Sequence, residues 1–530
     1  MSAGLTAGAG GQPGADPRAQ DQDQDQARLE AMAADRAAAG TAPALAVGVF
    51  SRGKLRAAVL RGSVDAAGRP PQADTAFRIA SCTKSFTAAA VLILRDRGLL
   101  DLDSEVSAHL PYLKLIGPGG DMPNGPLTLR MLLSMSGGLP TDDPWADRQE
   151  AMSVTDFEAL LGAGVRLVRT PGTDYEYSNL GYAMLGAVIA AAAGRGYTDV
   201  VRQELLEPLG LLGTGFDARV TAAGGVAQGY CRRGEVWELQ PFSGSGAFSA
   251  IGGLFSTLAD LGRWADWLAD GFTDGPEPPG EALSRASRRE MQQLHSWPGP
   301  ERLEGGAGAV EGIGGYGFGL RVLEDPARGL VIGHSGGYPG FSSHMTWHPA
   351  SGTAVVGFEN ASYAKVGELV RGVLAGVLQA DTGIPPGGSA VPAAAEPAAG
   401  EPAAGEPALT AVAPWPETLA ARSVVERLVE AWDDGLARSV FAGNVELDES
   451  IADRRHHLQQ ALAEVGPLRY DAGGPGLSIT AARLEWVIRG TRGDLKCRLL
   501  MTPEATPKVQ SLSFTAVAST SLDVAARATT

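Results

Sequence analysis

A stretch rich in Pro, Ala and Gly divides this chain of 530 residues into two parts that we expect to fold separately. It spans residues 384–416 and contains AAAEPAAGEPAAGEPAL, in which the unit EPA occurs three times. A segment of this composition buries too little apolar surface to pack within a domain, and it is typical of a linker. The sequence therefore predicts a large domain at residues 26–383 and a small domain at residues 417–518.

The larger part shows strand patterns at both of its ends. ALAVGVF and KLRAAVLRG follow a helical stretch near its start, and GLVIGHSGG, SHMTWHP and TAVVGFEN lie near its end. Helical patterns occupy much of the long middle section, and a last helical pattern follows the final strand. This order favours one α+β domain whose sheet is assembled from the two ends of the segment.

The smaller part begins with two helical patterns, residues 419–441 and 451–465, and continues with several strand patterns such as LEWVIRG. It is predicted to be a small α+β domain, and the order of its elements resembles a cystatin-like module. We expect it to mediate a homodimer or to gate a substrate. Residues 1–25, with a DQDQDQ run, are predicted to be disordered, and residues 519–530 form a tail.

The charge balance excludes two classes of partner. The chain has 44 Lys and Arg against 60 Asp and Glu, a net charge of -16, which argues against nucleic acid and anionic membrane surfaces. Three cysteines do not make a disulfide framework, and they fit a reducing compartment. No apolar run reaches the length of a membrane span, and the first residues do not resemble a secretory signal, so the sequence predicts a cytoplasmic protein.

Three S-x-x-K motifs occur although the chain has only six lysines. The motif at Ser51 is predicted to form a hairpin turn, and Ser362 is predicted to cap the helix that follows it. Ser81 differs because it lies between a predicted strand and an apolar helix. One helical turn takes 3.6 residues, so Lys84 should project beside the Ser81 hydroxyl. The free N–H groups of the helix N-terminus would favour negative charge that develops there.

Two further stretches complete a pattern. YEYSNLGYAML places Tyr177 and Asn179 just before an apolar helix, and IGHSGGYPGF places His334, Ser335, Gly336 and Gly337 at the end of an apolar strand. With the Ser81 motif, this order resembles the serine β-lactamase and penicillin-binding-protein superfamily. The match is to its branch of class C β-lactamases, DD-peptidases and esterases, and it runs from about residue 26 to 380. The resemblance implies a β-lactamase-like domain, with an antiparallel sheet flanked by helices and an all-helical part.

The resemblance also implies roles for these residues. Ser81 would be the acyl-accepting nucleophile, and Lys84 and Tyr177 would share the work of the general base. The backbone N–H groups of Ser81 and Gly337 would form the oxyanion hole. The remaining residues of the three motifs would bind substrate, and they are Asn179, His334, Ser335 and Gly336.

One departure limits the expected substrates. His334 stands where β-lactamases usually carry a lysine, so we expect weak or no β-lactamase activity. The leading hypothesis is a serine hydrolase that acts on a small-molecule ester, amide or acylated substrate, as an esterase or a D-amino-acid peptidase or amidase. The alternatives are an acyltransferase of natural-product biosynthesis and a catalytically inactive binding protein. Since the sequence shows neither a metal-ligand cluster nor a phosphate loop, we predict no metal and no cofactor.

Overall fold

The computed structural model describes residues 17–217, 223–298, 301–302, 311–382, 412–469 and 476–518. Most of the predicted linker, the first sixteen residues and the predicted tail lie outside this part of the chain. Among the described residues, no helix combines the length and apolar character that crossing a bilayer requires.

The helices of the larger domain are α1 Pro17–Ala38, α2 Thr83–Asp96, α3 Val106–His109, α4 Leu129–Leu133, α5 Asp143–Ala146, α6 Val154–Ala163, α7 Asn179–Ala193, α8 Tyr197–Val201, α9 Ser249–Gly252, α10 Leu258–Ala269, α11 Arg285–Met291 and α12 Gly367–Thr382. A short 3₁₀ turn, Ala80–Cys82, precedes α2. The helices of the smaller domain are α13 Pro416–Glu430, α14 Asp434–Val440, α15 Asn444–Asp448 and α16 Ile451–Val465.

The strands of the larger domain are β1 Ala44–Ser51, β2 Lys54–Gly62, β3 Phe77–Arg78, β4 Leu115–Ile116, β5 Val165–Arg166, β6 Gly229–Arg233, β7 Val236–Gln240, β8 Phe255–Ser256, β9 Glu301–Arg302, β10 Glu311–Tyr316, β11 Arg321–Asp325, β12 Gly329–Tyr338, β13 Phe341–His348 and β14 Thr353–Glu359. Those of the smaller domain are β15 Leu477–Thr480, β16 Arg483–Arg489, β17 Asp494–Met501 and β18 Val509–Val517.

The main sheet joins the two ends of the larger domain, as the sequence predicts. Its order is β2-β1-β14-β13-β12-β11-β10-β9, and its pairs are antiparallel. β1 pairs with β14 in the register Leu45↔Glu359, so the first strand of the domain lies beside its last. The helices α1 and α12 cover one face of the sheet, and α10 packs on the other. The predicted α+β domain, with an antiparallel sheet flanked by helices, is therefore confirmed.

The helical part of the domain surrounds α2, whose residues from Thr83 to Leu94 are all buried. Helix α2 contacts α7 and α9, and the 3₁₀ turn that precedes it contacts β12. Phe86 stacks on Trp264 of α10 with ring centroids 3.8 Å apart. This packing fixes the start of α2 between the helices and the sheet.

The first helix is longer than the sequence indicates, because it begins at Pro17 and not at residue 26. Proline is favoured in the first turn of a helix, where its missing N–H costs nothing. The buried carboxylate of Asp25 pairs with Arg56 of β2 at 2.8 Å, and Gln26 bonds the backbone of Ala58. These contacts explain how a polar segment is held against the sheet.

The smaller domain has an antiparallel sheet in the order β15-β16-β17-β18, with α13 and α16 packed against it. Its core includes Trp415, Trp486 and Leu495. The first predicted helical pattern forms two helices, because the Asp433 side chain accepts the N–H of Leu436 at 2.6 Å and starts α14 there. The second pattern matches α16 in both bounds.

Candidate active site

Ser81 lies in the tight turn that joins β3 to α2. The residue before it, Ala80, has a φ of +45°, in the left-handed region that residues with a Cβ rarely adopt. Such backbone strain costs about 1–3 kcal/mol and is often found where a side chain must be presented precisely. Ser81 is half-buried, whereas the residues on either side of it are buried. The turn therefore leaves the hydroxyl partly accessible.

Lys84 reaches back to the hydroxyl of Ser81. Its Nζ lies 2.9 Å from Ser81 Oγ and donates to the carbonyl oxygen of Ile251 at 3.0 Å. The side chain is fully buried, and this burial lowers the pKa of Lys84 to about 8, although Asp143, Asp147 and Asp142 act in the opposite direction. A substantial fraction of this amine is therefore neutral near pH 8 and able to accept a proton.

Tyr177 completes the contact around Ser81. Its ring centroid lies 5.1 Å from Lys84 Nζ, and the Ser81 side chain is near enough to the phenol to lower its pKa. Burial raises the pKa of Tyr177 well above its ordinary value, and the nearby Asp143 raises it further. The phenol is therefore neutral in the free protein, which favours a relay role over a phenolate. The structure thus brings Ser81, Lys84 and Tyr177 together.

Asn179, the first residue of α7, is buried next to Tyr177. Its side-chain nitrogen donates to the carboxylate of Asp143, and its Oδ1 is buried without a hydrogen-bond partner among the described residues. Its backbone N–H and that of Leu180 donate to the two oxygens of Asp142 at 2.7 and 2.8 Å. Asp142 therefore caps α7 from outside the helix and fixes the segment that carries Tyr177.

The strand β12 passes close to the Ser81 turn. A Cβ at Gly336 would collide with the carbonyl oxygen of Ile79, so only glycine allows the strand to come this near. The Ser343 hydroxyl of β13 donates to the same carbonyl at 2.6 Å. Gly337 follows directly on the strand, and the ring of Tyr363 lies against it. The two predicted oxyanion donors thus belong to backbone segments in contact.

His334 lies on the same face of β12 as Gly336 and is 3 % exposed. Its Nδ1 bonds the carbonyl oxygen of Ser335 at 2.6 Å and must therefore carry the proton. Its Nε2 accepts from the Tyr316 hydroxyl at 2.9 Å. Burial lowers the pKa of His334 to about 3, and the charge of Lys84 acts in the same direction. The ring is neutral at ordinary pH, unlike the lysine that it replaces.

Ser335 points to the opposite face of β12. Its hydroxyl bonds Nδ1 of His344, its neighbour across the strand pair, at 2.8 Å. The side chains of Ser335 and His334 therefore occupy different environments, although the sequence grouped them in one motif.

Several residues near Ser81 were missed by the sequence interpretation. Asp142 and Asp143 come shortly after the SGGLP stretch. The only feature of the sequence that could have indicated them is the pair of adjacent carboxylates at the start of a short helix. Asp147 accepts from the Tyr363 hydroxyl at 2.8 Å, and Tyr363 lies within an S-x-x-K motif that was set aside.

The predicted capping role of Ser362 is wrong. Helix α12 begins only at Gly367. The Ser362 hydroxyl accepts the N–H of Gly340 at 2.7 Å and donates to the carbonyl of Tyr230 at 3.3 Å. The hydroxyl therefore joins the turn between β12 and β13 to strand β6 and does not cap a helix.

Comparison with known proteins gives the family. A family model described as Beta-lactamase matches residues 29–377, which include all the predicted site residues. The chain belongs to the Beta-lactamase family. No cluster of His, Cys, Asp or Glu suited to a metal ion occurs in the described residues of this family member.

The curated relatives are distant. Penicillin-binding protein 4* of Bacillus subtilis (strain 168) is 28% identical over 294 residues, which cover 52% of this chain and 59% of the relative. Protein flp of Staphylococcus aureus (strain MRSA252) is 27% identical over 305 residues, covering 56% of this chain and 55% of the relative. The chain thus spans little more than half the length of the curated relatives that it matches.

Solved structures share the fold. The octameric penicillin-binding protein homologue from Pyrococcus abyssi has a TM-score of 0.55 at 18% identity, with 92% of this chain and 99% of that chain covered. A class C β-lactamase gives a TM-score of 0.54 at 19% identity, covering 67% of this chain and 96% of its own. EstCE1, a hydrolase with promiscuous acyltransferase activity, gives a TM-score of 0.51 at 22% identity, covering 67% of this chain and 98% of its own.

Proposed function

We propose that this protein is a serine hydrolase that cleaves a small-molecule ester or amide through an acyl-Ser81 intermediate. The observation that carries the proposal is the 2.9 Å contact between Lys84 Nζ and Ser81 Oγ, made by an amine whose pKa is lowered to about 8. A serine hydroxyl attacks a carbonyl only when a base removes its proton, and a buried amine of this kind can do so near neutral pH.

Acylation would proceed in two steps. Neutral Lys84 accepts the proton of Ser81 while Oγ attacks the substrate carbonyl, and the oxygen of the tetrahedral intermediate accepts hydrogen bonds from the N–H groups of Ser81 and Gly337. One such donor typically lowers the barrier by about 2.7–4 kcal/mol. The proton then passes from Lys84 through the neutral phenol of Tyr177 to the leaving group. In deacylation, water attacks the acyl carbonyl while Lys84 accepts one of its protons; the bond between the acyl carbon and Ser81 Oγ then breaks, the acid leaves, and the proton returns to Oγ.

The neutral ring of His334 favours substrates without a carboxylate near the reacting carbonyl. A lysine there would supply a positive charge, whereas His334 offers only hydrogen bonds, since its pKa is lowered to about 3. We therefore propose esters and amides of uncharged acyl groups as substrates, with little turnover of β-lactams. Asn179 and Gly336 would contribute to the substrate cleft, whereas the Ser335 side chain, predicted from the sequence to bind substrate, points to the opposite face of β12 and bonds His344.

The second candidate is an acyltransferase that uses the same acyl-serine. It is supported by the similarity, at a TM-score of 0.51, to EstCE1, a hydrolase with promiscuous acyltransferase activity. The two reactions differ only in the acceptor of the acyl group. Adding an alcohol or an amine to the ester assay separates them, because a transferase forms the new ester or amide faster than the free acid. An inactive binding protein is disfavoured by the proximity of Ser81, Lys84 and Tyr177.

The test compares matched serine variants. Wild-type protein and the Ser81→Ala and Ser51→Ala variants are incubated with p-nitrophenyl butyrate, a chromogenic cephalosporin and D-alanyl peptides. Ser51 is the control, because it also belongs to an S-x-x-K motif but ends β1 in a hairpin. We expect ester turnover and a mass increase at Ser81 in wild type and Ser51→Ala, and neither in Ser81→Ala. Turnover that persists in Ser81→Ala refutes the proposal.

A further inference from the structure

Several polar side chains join the C-terminal domain to the larger domain. Arg166 forms a paired contact with the Glu417 carboxylate at 2.7 and 2.9 Å. Arg148 bonds Asp448 at 2.9 Å. A third contact, made by Gln510 of β18, differs because it reaches the backbone of a segment that touches the Tyr177 motif.

Gln510 is 1 % exposed and uses both ends of its amide. Its Oε1 accepts the N–H of Trp145 at 3.3 Å, and its Nε2 donates to the carbonyl of Thr141 at 3.1 Å. Nε2 also donates to Met501 in its own domain at 2.8 Å. One side chain of the C-terminal domain therefore bridges the two ends of residues 141–145.

This bridged segment holds the chain on both sides of Tyr177. The Thr141 hydroxyl donates to Glu176, the residue before Tyr177, at 2.6 Å. Asp142 accepts two backbone N–H groups at the start of α7, and Asp143 accepts from Asn179. Thr141, Asp142 and Asp143 thus each restrain the segment that carries the Tyr177 phenol.

We infer that Gln510 is a positioning residue for the catalytic site, through which the C-terminal domain sets the place of the Tyr177 phenol beside Ser81. This inference rests on the proposed function. It gives the C-terminal domain a part in the reaction of the larger domain. Removing the buried Gln510 amide would leave the backbone groups of Thr141 and Trp145 unpaired, and the segment between them would lose its support. Misplacement of a catalytic group by 1 Å can cost about 100-fold in rate.

The first experiment uses the full chain and compares Gln510→Met with Glu417→Gln. Methionine fills similar space without hydrogen bonds, and Glu417→Gln weakens the same interface away from the 141–145 segment. Two rates are measured, kcat for p-nitrophenyl butyrate and the rate at which a fluorophosphonate modifies Ser81, followed by mass. We expect Gln510→Met to lower both rates about tenfold or more with KM changed less than about twofold, and Glu417→Gln to lower neither.

A pH profile gives a readout that loss of stability would not move. Carboxylates of the held segment and its continuation raise the pKa of Lys84, so a loosened segment lets that pKa fall. In a plot of the Ser81 modification rate against pH, the rise on the acid side should therefore shift to lower pH in Gln510→Met and stay in place in Glu417→Gln. The titratable groups that surround the amine are Asp142, Asp143, Asp147, Cys82, Tyr177 and His334.

The outcomes separate the two proposals. Equal rates in wild type and Gln510→Met, or equal losses in Gln510→Met and Glu417→Gln, overturn the positioning role while leaving the hydrolase intact. Ser81 modification without turnover of any ester or amide refutes the hydrolase, and the modification rates then still decide the role of Gln510. Absence of modification in wild type overturns both. If Gln510→Met does not fold, Gln510→Glu keeps the acceptor for Trp145 and removes the donor to Thr141, and it should show the same loss.

Discussion

A buried ion pair links the two backbone segments that would bind the oxyanion. Arg78, in the strand before Ser81, pairs with Glu150, and both side chains are at most 2 % exposed. Tyr338, which follows Gly337 on β12, donates its hydroxyl to the same carboxylate at 2.7 Å, and the Arg78 guanidinium lies 4.0 Å from its ring centroid. The spacing between the Ser81 turn and Gly337 therefore depends on this network.

We predict that Tyr338→Phe destabilises the protein and slows the reaction. The substitution removes one hydrogen bond to a charged group, worth about 1.5–3 kcal/mol, while the Ser243 hydroxyl still donates to Glu150 at 2.6 Å. Because the ring and its packing remain, the free energy of unfolding should fall by about 1.5 kcal/mol, the lower end of that range. The ester kcat should fall severalfold as Gly337 gains freedom, with KM almost unchanged.

Urea unfolding and ester kinetics test this prediction, and Tyr112→Phe, a half-buried tyrosine outside the network, is the control. Unfolding free energy and kcat that match wild type in Tyr338→Phe would refute the claim that the network fixes the two segments. A loss of stability with unchanged kcat would show that the network supports the fold only.

Two further predictions follow from burial and capping. Asp142→Ala removes the acceptor for the first N–H groups of α7, so urea unfolding should show a loss of about 1–2 kcal/mol and kcat should fall as Tyr177 loses its support; unchanged values for both would contradict the capping role. Burial raises the pKa of the Cys82 thiol to about 12, so iodoacetamide at pH 8 should modify half-buried Cys231 and leave Cys82 unmodified in the native protein. Mass analysis of the peptides checks this, and rapid labelling of Cys82 would show that the core beside Ser81 opens.

The sequence predicted the local part of the site because local geometry is set by spacing. Lys84 follows Ser81 by one helical turn, and the strand-to-helix junction around them forms as expected. Tyr177 and His334 lie far from Ser81 along the chain, and only the resemblance to a family grouped them. No periodicity or spacing relates such distant residues, since their contact depends on the packing of α7 and β12 around α2.

The interdomain contacts could not be predicted in the same way. Gln510 bonds Thr141 across 369 positions of sequence, and a single glutamine on a strand gives no signal of its partner. The neutral state of His334 was equally hidden, because it follows from burial and the bond to Tyr316 and not from the HSGG pattern. The split of the first C-terminal helical pattern depends on one capping residue, Asp433, which the apolar periodicity does not register.

The measurement that tests the central claim most directly is the pH dependence of kcat/KM for p-nitrophenyl butyrate between pH 5 and 10. If Lys84 is the base, kcat/KM should rise with an apparent pKa of about 8 and reach a plateau above it, because the amine accepts a proton only when neutral. The same limb should remain in His334→Gln, since that ring is already neutral throughout this range. A limb near pH 6.5 that disappears in His334→Gln would make the histidine the base and contradict this account.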